Sequence, residues 1–199
     1  MAVRTDLNVL RPTAAQMRLL AHPLRARLLG ALRFGGPATS TALAQRLGTN
    51  SGATSYHLRQ LAAGGLVEDD VERSTGRDRV WRSVHDATQW TSTEFDDDPD
   101  ARAAEDWLQR YHARRVAGWM ADWLDVRHEW PADWREAADQ SDYHLDLTPA
   151  GLRSLMAELH EVVRRHRDAA GGGAGAAAAA GAERVTLLLD AFPSPERTP

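Results

Sequence analysis

The 199-residue chain contains no cysteine. That excludes disulfides, thiolate metal sites and cysteine nucleophiles. Lysine is also absent, so every one of its 24 long-chain cations is an arginine. No apolar run approaches the ~20 residues needed to cross a bilayer. The opening residues, MAVRTDLNVLRPT, lack the apolar core of a secretory signal, and the expected location is the cytoplasm. No Gly-rich phosphate loop, GxSxG elbow or HExxH helix is present, so no catalytic residues are assigned and the chain is not expected to be an enzyme. No cofactor is expected either.

The charge that is present is unevenly placed. Net charge is −4. Residues 1–90 hold 12 arginines and 7 acidic residues, a net of +5, whereas residues 91–199 hold 12 arginines and 21 acidic residues, a net of −9. This asymmetry suggests a polyanion-facing module joined to one with another job. The stretch TNSGATSYHLRQLAAGGLV, residues 49–67, sits in the basic part. Thr49, Asn50 and Ser51 are N-cap types whose side chains accept from orphan helix N–H groups. Thr54, Leu58 and Leu61 share one face at 3.6-residue spacing and should be buried. Gly52, Ser55, Tyr56, Arg59 and Ala63 fall opposite. Small residues near the start, then hydroxyls and one guanidinium, suit an N-terminus entering a DNA major groove. Gly64-Gly65 should end the helix through left-handed φ.

Residues 1–12 are expected to be a loose arm. Thr13 caps a helix through Met17, Leu19 and Leu20. Pro23 suits the first turn of the next helix, which turns Leu24, Leu28 and Leu32 inward, with Leu29 beside them. Thr39-Ser40-Thr41 caps a third helix with Leu43, Ala44 and Leu47 facing in, and Gly48 stops it. Two short helices around a glycine-containing turn form a helix-turn-helix pattern. Leu66 to Arg73 and Arg77 to Val84 are strand-like, with a turn at Ser74-Thr75-Gly76. Arg73, Arg77 and Arg79 near that tip suit a DNA backbone or minor groove, the alternative being a solvated hairpin.

The segments AHPLRARLLGAL and ALAQRLGTNSGATSYHLRQLAAGGLV, followed by an arginine-tipped hairpin, resemble the winged helix-turn-helix domain of ArsR-type bacterial transcription regulators over roughly residues 13–86. The resemblance implies a homodimer on double-stranded operator DNA with dyad symmetry, acting as a repressor released by a small ligand or metal. Asn50 lies at the start of the matching recognition helix, and Ser51, Ser55, Tyr56 and Arg59 match its DNA-facing positions. Arg77 and Arg79 match the wing, with Arg73 beside them. His57 fits the pattern too, and leans toward the buried flank as a packing or phosphate contact.

The expected fold class is mostly α with small β: a winged helix-turn-helix over residues 1–90, then a helical and strand-helix-strand region. Residues 91–100, TSTEFDDDPD, are expected to be an irregular acidic linker. Residues 101–199 form the remaining region, with a flexible Gly/Ala segment at 171–182. A long helix from Ala101 to about His128 carries Trp107, Tyr111, Trp119 and Trp123. Those aromatics suit either a core and dimer interface or the wall of an apolar ligand pocket. Residues 143–147 alternate like a strand, Thr148-Pro149 starts a helix to about Arg167, and residues 183–192 contain a second strand pattern. The region extends past the shortest ArsR-type proteins, and no ligand carries over from the resemblance.

Two further readings compete. Asp125 and His128 stand three apart on one helix, a workable ligand spacing, but no second pair matches it and His112 is too far along, so no metal site is assigned. A winged helix used only for protein contacts would ignore duplex DNA, whereas a DNA binder loses affinity steeply with salt.

Overall fold

The computed structural model describes residues 8–75, 78–170 and 181–194. The chain divides into two compact units, one running to His112 and the other beginning at Ala113.

The first unit begins with a short strand, β1 (Val9–Leu10), then α1 (Ala14–Leu20), α2 (Pro23–Gly35), β2 (Ala38–Thr39), α3 (Ser40–Leu47) and α4 (Ser51–Ala63). Strands β3 (Val67–Asp69), β4 (Val80–Ser83) and β5 (Ala87–Thr88) follow. Each of the first four helices starts on a side chain able to satisfy an orphan N–H. Thr13 and Gln16 form a reciprocal capping box on α1, and Thr39 and Asn50 cap α3 and α4. The cap of α2 is His22, whose Nδ1 accepts from Leu24 N–H at 3.2 Å.

Leu20, Leu28, Leu29, Leu32, Leu43, Leu58, Leu61, Leu66 and Trp81 enclose the main core. Leu24 and Leu47, expected inside, are only partly buried at its edge. Strand β4 is the centre of a three-stranded antiparallel sheet, with β2 on one side and β3 on the other. The third strand, β2, has no signature in its two-residue sequence; it exists because β4 offers it a partner.

Three expectations fail in this unit for tertiary reasons. The arm is not loose where it is described: β1 pairs in parallel with β5, and Asn8 N–H donates to Asp86 Oδ2 at 2.8 Å. The acidic stretch is not an irregular linker. Ser92–Phe95 forms a 3-10 turn, and Phe95 is buried in a second small core with Met17, Ala101 and Ala104. Asp98 accepts from Ala101 N–H at 2.9 Å and pairs with Arg18 at 2.8 Å, so its carboxyl is held below the usual range by those two interactions. Finally, Gly64 is not left-handed, having φ −83, and only Gly65 takes positive φ, at 71. A Cβ on Gly64 would meet Leu19 Cδ2, the end of a side chain that can turn aside.

A long helix, α5 (Pro99–Val126), begins in the first unit, and the division between units falls within it. After it come a 3-10 turn (Arg127–Glu129), α6 (Ala132–Ala137) and α7 (Pro149–Ala169). Helix α7 starts on Thr148 with Pro149 in its first turn, as its sequence predicts. The strand patterns at 143–147 and 183–192 do not form strands: neither pairs with another strand among the described residues, and Tyr143 is 78% and Val185 69% exposed. Alternation alone cannot make a strand without a neighbour to take its hydrogen bonds. Most of the Gly/Ala segment and the last five residues lie outside the described residues. Among the described residues no helix is long and apolar enough to cross a membrane. The architecture is mostly helical with a small sheet.

Candidate nucleic-acid interface

Helix α4 is fixed from beneath. Thr54, Leu58 and Leu61 are fully buried, and Thr54 Oγ1–H donates to the Asn50 carbonyl at 3.0 Å. Asn50 Oδ1 accepts from Ala53 N–H at 2.7 Å, which closes the first turn. Gln16 Nε2–H, from α1, donates to the Gly64 carbonyl at 2.9 Å and ties down the other end. What remains outward is the face expected from the wheel. Ser51, Gly52, Tyr56 and Arg59 are exposed, and Ser55 is half-buried. A Cβ at Gly52 would meet only Asn50 Oδ1, at 3.4 Å. The start of the helix is therefore slim. The Arg59 side chain has no hydrogen-bond or ion-pair partner among the described residues.

The hairpin is different. Arg79 pairs with Asp69 at 2.9 Å and lies 5.3 Å from the Trp81 ring centre. Arg82 pairs with Glu68 at 2.6 Å, directly across the β3–β4 register. Arg73 is 3.7 Å from Asp70. Ser74 Oγ–H donates to Asp69 Oδ1 and its oxygen accepts from Val80 N–H, which pins the hairpin arms together. Arg77 lies outside the described residues. Each wing arginine that is described thus carries an acidic neighbour. The arginine ends of these pairs are exposed, although Asp70 is largely covered; surface pairs are worth about 0–1 kcal/mol each, and a phosphate can compete for the arginines.

A feature the sequence did not signal lies beside the outward face of α4. The His22 and His57 rings sit 4.4 Å apart, and Tyr56 meets His57 edge-on at 5.1 Å. His57 Nδ1 is buried without a hydrogen-bond partner. Both imidazoles hold a proton less tightly than a free one. Desolvation is the main cause, reinforced by Arg25 at His22 and by His22 and Arg25 at His57. A depressed imidazole keeps the folded chain neutral there, so unfolding at low pH takes up protons. The stability this pair supplies is complete above the ordinary value of 6.5 and is lost as pH falls through the lower folded values. Urea midpoints are therefore expected to drop as pH is lowered from about 7.5 to about 5. His22→Asn keeps a cap acceptor but cannot titrate, and should flatten the drop. An identical pH profile in that variant would contradict the assignment.

Arg33 is an anchor, not a surface cation. It donates to His85 O at 3.0 Å and Thr88 Oγ1 at 2.9 Å, and burial lowers its pKa to about 10. The aromatics singled out from the sequence separate into different settings. Trp107 stacks on Tyr111 at 5.3 Å in the first unit. In the second, the Arg115 guanidinium lies 4.5 Å from the Trp119 ring centre, and Trp123 meets Trp130 at 6.2 Å. Among the described residues no three His, Asp or Glu side chains gather as a metal site.

A family model described as a helix-turn-helix domain matches residues 20–70. The match runs from the end of α1 to the end of β3 and includes the whole of α2, α3 and α4. No curated protein matches the chain. Residues 20–70 are thus similar to a helix-turn-helix domain, and the hairpin begins inside the matched stretch with β3 and continues past it with β4.

Proposed function

We propose that the chain is a sequence-specific transcriptional regulator of the ArsR type, a homodimeric repressor rather than an enzyme, with α4 in the major groove. One observation carries the reading: a rigidly docked helix presents a slim N-terminal face and an unpartnered Arg59 to solvent. Asn50, Ser51, Ser55, Tyr56 and Arg59 supply the α4 contacts, and Arg73, Arg77 and Arg79 grip the adjacent backbone, with phosphate displacing Asp70 from Arg73 and Asp69 from Arg79. Genome-wide identification of DNA bound by the full chain tests this. Recovery of a defined set of promoter sites supports it, and recovery of none contradicts it.

The second unit supports the dimeric part. None of its described residues is buried, and Met120, Leu124 and Val126 on α5 and Val162 on α7 are exposed. A helical region with no core of its own gains most by burying such surface against a second copy. Light scattering should return twice the chain mass, and a monomer across the micromolar range would count against it. Residues 101–199 then combine dimerisation with response to a ligand.

The self-neutralised hairpin favours a second reading, a winged helix for protein contacts. The two differ at Asp69. If Arg79 serves phosphate, Asp69→Asn removes its competitor while still accepting from Ser74. Affinity for duplex DNA should then rise a few-fold, and the salt dependence should steepen by up to about one unit of log–log slope. No change in either quantity would release the wing from a DNA role.

A further inference from the structure

The end of α5, the 3-10 turn after it, α6 and the segment beyond border an open surface pocket of about 320 Å³. Trp123, Arg127, His128, Arg135, Ala138 and Gln140 line it. Its charge is selected against the local composition. Residues 122–139 contain six carboxylates, Asp122, Asp125, Glu129, Asp133, Glu136 and Asp139, and three basic side chains, Arg127, His128 and Arg135. All three bases line the pocket and none of the acids does. Neither Arg127 nor Arg135 has an ion-pair partner among the described residues. The indole wall is braced from behind, because Trp130 meets Trp123 edge-on and Trp134 meets Trp130 at 6.0 Å.

We propose that this pocket binds a small organic anion, an aromatic carboxylate, with its acid group on Arg127 and Arg135 and its ring against Trp123. Two guanidiniums with no ion-pair partner among the described residues offer forked donors that match a planar acid group. Gln140 adds a neutral donor and acceptor. The volume lies at the small end for ligand pockets, which limits the body to one or two rings. An anion held here is the effector of the regulator proposed above. That role rests on the regulator reading, but the binding itself is measured without DNA, so the two can fail separately.

The test is calorimetric titration of the full chain with benzoate, indole-3-acetate, benzamide and inorganic phosphate. The carboxylates should bind with one site per chain, and benzamide, the neutral isostere of benzoate, at least about tenfold more weakly. Arg127→Gln and Arg135→Gln, both at exposed positions, should each weaken carboxylate binding about tenfold or more with unchanged circular dichroism. Trp123→Leu should weaken indole-3-acetate more than benzoate. Equal binding of benzamide and benzoate would overturn the proposal, as would full affinity in the double arginine variant. So would phosphate binding as tightly as the aromatic acids, which indicates a bare anion site. Absence of heat from either carboxylate at about 10 mM would also overturn it.

Discussion

Leu58→Ala is expected to destabilise the first unit by about 2–5 kcal/mol. Leu58 is fully buried and packs in the core shared by α2, α3, α4 and the sheet. Truncation removes the transfer energy of the lost carbons and leaves a void that capped, mutually tied helices cannot easily close. Domains of this size have only about 5–15 kcal/mol in hand, so one such change consumes a large share. Urea unfolding followed by circular dichroism measures it as a fall in midpoint at constant slope. Ser55→Ala, on the half-buried outer flank, should stay within about 0.5 kcal/mol. A Leu58→Ala cost below about 1 kcal/mol would mean that α4 is not seated as described.

Arg59→Ala should do the reverse. Stability should hold, because the side chain is exposed and has no partner among the described residues to lose. DNA affinity should fall by about 1–3 kcal/mol, roughly five- to 150-fold, if the guanidinium makes a bidentate base contact. The loss should be concentrated on sites carrying the contacted base, with preference at that position relaxed. Arg59→Lys should not restore it, since a point charge cannot reproduce a two-pronged contact. Anisotropy titrations against a matched set of single-base operator variants separate the cases. Equal weakening on every sequence would make Arg59 a phosphate contact, and no weakening would remove it from the interface.

How far the sequence announces these features depends on the range of the forces involved. Caps and helix faces are local, and Thr13, Thr39, Asn50, Thr148 and the Thr54/Leu58/Leu61 triad stand where spacing puts them. The failures all involve partners distant in sequence. Val9 and Leu10 look like arm residues until β5 is beside them. Phe95 sits among aspartates, and only Met17 and Ala101 make it an anchor. Residues 143–147 and 183–192 alternate as strands do, yet no neighbour among the described residues pairs with them as a strand. The wing arginines were legible as charges, but their neutralisation depends on register, which sets Glu68 opposite Arg82. The pocket has one local clue, the four-residue spacing of Trp123 and Arg127; the placement of Arg135 and Gln140 beside them requires the turn and α6.

The most direct measurement of the central claim is selection of the full chain against a library of random duplex DNA, with retained affinities followed as salt is raised. Two inverted half-sites about one helical turn, ~10 base pairs, apart are expected to be enriched. Affinity should fall linearly on a log–log plot against salt as phosphate contacts release counterions. A pool that stays random after repeated rounds, with binding no stronger than to an unrelated duplex, would contradict it.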